Sequence, residues 1–248
     1  MIVMVTGATS GFGEVISKKF LSNGHKVIGI GRRVEKLLEI KNEFQSDFHP
    51  IQLDLTEKES IINILNEIPE DFKNVDILVN NAGLALGLEE ANLSDINDWN
   101  RMIDTNVKGL VNITHSILPI MVNKNSGHII NIGSTAANWP YLGGNVYGAT
   151  KAFVKQFSRG LRADLFGKKI RVTNIEPGLV KGTEFSLVRF KGNNSKVINT
   201  YKDADALTPE DIAESVFWVS NLPAHVNINE IEMMPVCQSF AGLNIYRE

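Results

Sequence analysis

Tyr147 and Lys151 stand four residues apart in "VYGATKAF", and Ser134 lies thirteen residues before the tyrosine. A phenol, an ammonium and a hydroxyl together suit proton exchange at an alcohol or carbonyl oxygen. A free tyrosine titrates near pH ~10, so roughly one in a thousand is ionised at neutral pH. An i, i+4 pair shares one helix face, which brings the Lys151 ammonium to the Tyr147 phenol and favours the phenolate. Lowering the phenol to the working pH takes about 3 to 4 kcal/mol of differential stabilisation. A lysine in a partly desolvated cleft supplies much of that. Ser134, after the apolar run that ends in "NIGSTAA", would hold the reacting oxygen while Tyr147 exchanges its proton. Each piece has a plain alternative, since YxxxK recurs in ordinary helices and a serine after a strand often serves as a turn residue or cap. The conjunction carries the reading.

Such a constellation needs strand ends and a helix start facing one cleft. Short apolar runs at 2–5, 26–30, 50–53, 75–79, 128–132, 170–175 and 228–233 alternate with helical patterns at 12–23, 34–44, 57–68, 98–122 and 146–166. Strands that are apolar at nearly every position imply burial on both faces, hence an α/β fold with a doubly wound parallel sheet. Ligands of that architecture bind at the carboxyl ends of the strands. A further helix starts at "TPEDIAESVFWV", with Thr208 as cap and Pro209 at the first helical position. The segment 182–202 has weak periodicity and a polar "KGNNSK" tip, which predicts a mobile substrate flap.

The 248 residues are 43% hydrophobic, enough for one large core, and one domain spanning 1–248 is expected. A net charge of −3, without long runs, offers no footprint for nucleic acid or a membrane surface and points to small molecules and copies of itself as partners. The single Cys237 has no disulfide partner and fits a cytoplasmic location. The apolar start is five residues long without a basic leader, so it reads as a strand. His25, His49, His115, His128 and His225 are scattered, and no metal site is expected.

"VTGATSGFG" places Gly7, Gly11 and Gly13 between the first strand and the first helix. Such a turn lets backbone amides approach a pyrophosphate, and the helix N-terminus adds partial positive charge. The spacing is G-x3-G-x-G rather than the general G-x-G-x-x-G, and a plain tight turn is the alternative. The second strand ends in "GIGRR", where a carboxylate would favour NAD. Arg32 and Arg33 would instead pair with a 2′-phosphate, which favours NADP, although paired arginines on a surface turn are otherwise merely solvated. Asp54, in "LDLT", is placed to accept from an adenine amino group or to cap a helix, and the small residues of "NNAG" let the chain pass close to a cofactor.

The motifs "TGATSGFG", "NNAG", "DTNVKG", Ser134, "YGATK" and "EPGLV", in this order, resemble the short-chain dehydrogenase/reductases from residue 6 to about 183. The resemblance implies a seven-stranded Rossmann sheet with Tyr147 as acid/base, Ser134 orienting the carbonyl and Lys151 tuning the tyrosine. Asn106 would hold a water in a proton relay. NADP would be contacted by Gly7, Thr9, Ser10, Gly11, Phe12, Gly13, Arg32, Arg33, Asp54, Leu55, Asn81, Ala82, Gly83, Tyr147, Lys151, Pro177, Gly178, Val180 and Thr183.

Further stretches, among them "GSTAANWPYLGGNVYGATKAFV", "GTEFSLVRFKG", "LPAHVNINEIEMMPV" and the tail "AGLNIYRE", are similar to the NADP-dependent 3-hydroxy acid dehydrogenases, also known as serine or L-allo-threonine dehydrogenases and malonic semialdehyde reductases. That likeness implies a homotetramer paired through the helices at 98–122 and 146–166. A 3-hydroxy acid carries a carboxylate, for which Arg189 is the candidate partner; its alternative is to pin the flap or a subunit contact. Trp139 and Tyr141 would wall the pocket, with simple packing as the alternative. Two other functions fit the same residues: a broad-specificity carbonyl reductase, and, in another class, a non-catalytic NADP-sensing regulator.

Overall fold

The computed structural model describes residues 1–241. All but the first residue of the tail motif "AGLNIYRE" lies outside them.

Seven strands form one sheet, β1 (Ile2–Thr6), β2 (Lys26–Gly31), β3 (Phe48–Gln52), β4 (Ile77–Asn80), β5 (Gly127–Ile132), β6 (Ile170–Pro177) and β7 (Glu230–Met233). Their order is β3-β2-β1-β4-β5-β6-β7 and every pairing is parallel, so the doubly wound α/β expectation holds. The reason is legible in β1. Val3 and Val5 point into one helix layer and Met4 into the other, and all three are fully buried. Burying each such side chain favours the sandwich by about 1.5–3 kcal/mol.

The Met4 face packs against α6 (Leu110–Lys124) and α7 (Asn145–Asp164), and the Val3 face against α1 (Gly11–Ser22), α2 (Val34–Phe44) and α10 (Pro209–Ser220). Chain order reverses between β1 and β4, and that switch opens a cleft at the strands' carboxyl ends. Helix α10 starts with the expected cap, Thr208 and Asp211 closing a reciprocal capping box ahead of Pro209.

Four departures from the sequence reading have local causes. The helical pattern at 57–68 divides into α3 (Lys58–Ile62) and α4 (Ile64–Glu67), because Asn66 N–H bonds Asn63 O three residues back and tightens the turn. The pattern at 98–122 is α5 (Ile96–Ile103), a six-residue π turn Asp104–Gly109, then α6. Gly109 permits that bulge, since a Cβ there would come within 2.9 Å of Leu55 Cβ. The segment 182–202 contains two helices, α8 (Phe185–Arg189) and α9 (Asn194–Tyr201), rather than irregular chain. Strand β3 starts two residues earlier than expected and runs through Pro50, which an edge strand tolerates.

Candidate active site

The cleft at the switch point encloses about 750 Å3. At its floor, the turn after β1 carries Gly7 and Gly11 at φ +69° and +55°, a region that strains other residues. Thr6 ties this turn to the segment after β4: its hydroxyl accepts from Asn81 N and Ala82 N, each at 3.0 Å, and its carbonyl accepts from Asn81 Nδ2 at 2.8 Å. Gly7, Thr9, Ser10, Gly11, Phe12, Asn81, Ala82 and Gly83 therefore line one wall. Gly13 does not. It is buried, and a Cβ there would lie 2.2 Å from Gly7 O, so it lets α1 close against the turn rather than touching the cleft.

Arg32, Arg33, Asp54 and Leu55 line the outer end of the same cleft. Arg32 Nη1 lies 3.7 Å from Asp54 Oδ2. Burial tends to raise the Asp54 carboxyl, but two hydrogen bonds from Thr56 and the Arg32 charge hold it below its ordinary value. Asp54 thus caps its own turn through Thr56. Arg33 donates to Thr9 O at 3.0 Å and to Glu184 at 3.1 Å. A dinucleotide fits this half: the glycine turn is a cradle that added Cβ atoms would fill, and a Cβ on Gly83 would reach within 3.4 Å of Lys151 Nζ.

At the inner end, Ser134 follows β5 with extended backbone (φ −171°) and accepts from Ala136 N at 3.1 Å. Its loop is fixed from β6: Gly133 N–H donates to Ile175 O at 2.6 Å, and Asn138 Nδ2 donates to the fully buried Glu176 carboxylate at 2.7 Å. Tyr147 and Lys151, in the first turns of α7, lie beside Ser134, whose hydroxyl hydrogen-bonds the phenol; both are buried and line the cavity.

Burial dominates the electrostatics here. Burial pushes the Tyr147 phenol up to about 12, although Ser134 and the Arg189 guanidinium pull it down. Burial pushes the Lys151 ammonium down to about 8. The Lys151 Nζ donates to Ile132 O at 2.8 Å and lies over the Tyr147 ring, 5.9 Å from its centroid.

Asn106 is held from two sides. It lies in the π turn, buried outside the cavity lining, with its side chain accepting from Leu84 N at 2.9 Å and donating to Leu84 O at 2.8 Å and Thr150 Oγ1 at 3.1 Å. Both amide hydrogens are thereby used, so a water in a relay would donate to an Asn106 oxygen.

Pro177, Gly178, Val180 and Thr183 line the cleft as well, as do Trp139, Tyr141 and Arg189. Arg189 lies over two rings, 5.2 Å from that of Tyr141 and 5.4 Å from that of Tyr147, and donates to Tyr141 Oη and Gly87 O. Trp139 donates to Glu232 at 2.5 Å and packs on Phe240 at 4.4 Å. Phe240 was missed because it returns from the C-terminal segment, 101 residues beyond Trp139, without a motif around it. Phe185, whose ring centroid lies 5.7 Å from that of Tyr147, and Glu184 were missed inside the quoted "GTEF", where charge and aromaticity were the available signals.

Among the described residues no group of three His, Cys, Asp or Glu is arranged to hold a metal ion, and no helix is long and apolar enough to cross a membrane.

Known proteins share this arrangement. The pattern of the short chain dehydrogenase family matches residues 1–193. The NADP-dependent 3-hydroxy acid dehydrogenase YdfG of Escherichia coli (strain K12) is 61% identical over 248 residues, covering 100% of both chains. Serine 3-dehydrogenase of Agrobacterium fabrum (strain C58 / ATCC 33970) is 51% identical over 246 residues, 99% of this chain and 98% of the relative. The solved closed form of a serine dehydrogenase complexed with NADP+ has a TM-score of 0.98 at 61% identity, covering 100% of each chain. With a match over most of its length and relatives this close end to end, the chain belongs to the short-chain dehydrogenase family.

Proposed function

We propose that this enzyme interconverts short 3-hydroxy acids, of the serine, allo-threonine and 3-hydroxypropionate type, with 3-oxo acids, using NADP. One observation carries the substrate class: Arg189 places a guanidinium 5.4 Å from the Tyr147 ring, inside the cleft. A substrate carboxylate on that cation puts its β-carbon oxygen beside the phenol and Ser134. The relatives' activities, 3-hydroxy acid and serine dehydrogenation, and the NADP dependence of the first support the same substrate class and cofactor.

A nicotinamide dinucleotide held by the glycine turn, Asn81 to Gly83 and Lys151 would supply the hydride acceptor for oxidation and the donor for reduction at the carbinol carbon. Ser134 holds the substrate oxygen by hydrogen bonding, and Tyr147 takes its proton in oxidation or supplies one in reduction. Lys151 contributes a positive charge at the base of the cleft, held toward the cofactor side by Ile132 O. With its phenol up at about 12, Tyr147 rests protonated and is ready as the acid for reduction. Arg32 and Arg33 supply cations at the adenosine end, which supports NADP over NAD.

The test is a turnover panel with NADP and NAD on serine, allo-threonine, 3-hydroxybutyrate, 3-hydroxypropionate and a plain secondary alcohol, followed by nicotinamide absorbance. Faster turnover with NAD would overturn the arginine reading. Turnover of the plain alcohol alone would overturn the hydroxy-acid reading.

We also propose a homotetramer joined through α5, α6 and α7, supported by the exposed Ile103 and Phe153, the latter stacked on Phe157. A mass other than four chains in light scattering would sink it. A cytoplasmic setting is supported by the lone Cys237, which has no disulfide partner.

A further inference from the structure

The chain from 178 to 184 crosses the cleft as a strap, and its two margins are held differently. On the β7 side it is stitched by main-chain bonds: Gly178 N–H donates to Met233 O at 2.7 Å, Lys181 N–H to Leu207 O at 2.8 Å, and Leu207 N–H to Leu179 O at 3.1 Å. Leu179 N–H adds a bond to Gln238 Oε1 at 2.6 Å. On the other side it lands on the glycine turn. A Cβ on Gly11 would lie 3.4 Å from Thr183 Cγ2, so the strap and the turn meet edge to edge over the place where the dinucleotide's phosphates would lie. The polar ties on this margin meet at Glu184: Arg33, with N–O distances of 3.1 and 3.0 Å to the two carboxylate oxygens, and the Ser10 hydroxyl. Gly182, at φ +80°, is a ready bending point just before that landing.

Arg33 is already committed on both faces. One amino group holds Glu184 and the other holds Thr9 O, so its guanidinium spans from the glycine turn to the strap. Arg32 is the looser of the pair: its one carboxylate neighbour, Asp54, is 3.7 Å away and its side chain is 59% exposed. Asp54 in turn is occupied by Thr56.

We infer that the two arginines divide the work: Arg32 is the 2′-phosphate reader, and Arg33 with Glu184 is a clasp that fastens the strap over the bound dinucleotide and sets how fast it leaves. The first half rests on the NADP reading above; the clasp does not, because it touches the strap and the glycine turn rather than the phosphate that distinguishes NADP from NAD. Glu184 is then a positioning residue for cofactor retention. The anchored margin stays in place and the clasped margin opens about Gly182.

The experiment is stopped-flow dissociation of NADPH and of NADH, read by nucleotide fluorescence, for the whole enzyme and its variants. Glu184→Gln and Arg33→Ala should each speed release of both nucleotides by the same factor, about two- to five-fold for a partly exposed pair. The double variant, Arg33→Ala with Glu184→Gln, should release NADH no faster than Arg33→Ala alone. Arg32→Ala should weaken NADPH and leave NADH unchanged. If Glu184→Gln tightens NADPH while sparing NADH, the carboxylate is competing with the 2′-phosphate for Arg33, and the clasp is overturned. If release is unchanged in both single variants, the clasp is likewise overturned. An enzyme that binds NADH as well as NADPH, with Arg32→Ala without effect, overturns the phosphate reading alone, and equal acceleration by Glu184→Gln would still uphold the clasp.

Discussion

Lys151 and Tyr147 share one face of α7, yet the lysine reaches past the phenol: its ammonium is 2.8 Å from Ile132 O and 5.9 Å from the centre of the tyrosine ring. The i, i+4 spacing brings the two into one cleft without a direct hydrogen bond between them. Burial is the first influence on each and disfavours the charged form of both.

The first consequence concerns pH and direction. Reduction needs a phenol, which is already present when Tyr147 titrates near 12; oxidation needs the proton removed. The rate of 3-hydroxy acid oxidation should climb steadily between about pH 7 and 10, whereas 3-oxo acid reduction should not. Initial rates in both directions across that range check this, and an oxidation rate that is level throughout would contradict it. Tyr147→Phe should remove turnover in both directions, by about 100-fold or more, and keep NADPH affinity by fluorescence titration.

A second consequence is for stability. Lys151 titrates at about 8 in the folded protein against 10.5 ordinarily, so between those values the unfolded chain holds more protons and stability rises with pH. The contribution is fully present above 10.5 and lost as pH falls through 8. Tyr147 works in the opposite sense above pH 10, because its folded value is raised. Urea denaturation of the wild type and Lys151→Met should therefore converge or cross between pH 8 and 10 in favour of the wild type, on a scale of at most about 3 kcal/mol. A constant difference over that window would mean that Lys151 is not desolvated.

Arg189 separates substrate recognition from architecture. Arg189→Leu should lower kcat/KM for 3-hydroxy acids by about 10- to 100-fold, the loss expected of a charged hydrogen bond. A neutral secondary alcohol should be affected only a few-fold. Equal losses on both would show that the guanidinium acts by tying α8 to Gly87 and Tyr141.

Gly13 offers a test of the cradle that spares the cleft's chemistry. A methyl group there would lie 2.2 Å from a main-chain oxygen that cannot swing aside. Gly13→Ala should cost about 1–3 kcal/mol of stability by overpacking, and NADPH affinity should fall with it because the turn must shift. Unaltered denaturation and binding would mean that α1 can retreat from the turn freely.

The sheet was readable from the chain because buried parallel strands leave uninterrupted runs such as "IVMV" and "HIINI", and because helix starts such as Thr208–Pro209 carry their own caps. Tyr147, Lys151 and Ser134 were readable from spacing. The direction of the phenol's shift was not, since it depends on how deeply the ring sinks and on a carbonyl, Ile132 O, that no spacing rule brings to the lysine. Asn106 was found by motif, but the π turn that points its amide at Leu84 depends on Gly109 packing against Leu55, a long-range contact. The two helices within 182–202 were missed because α8 is five residues long and α9 eight, too short for periodicity to stand out.

Pro50 bears on more than the boundary of β3. Leu53 donates its N–H inward to Gly31 O, so by the two-residue alternation Pro50 turns its ring nitrogen to the open rim of the sheet. A stray extended chain trying to lengthen the sheet there would find a donor missing at mid-strand, which guards this rim against fibril-like stacking at high concentration.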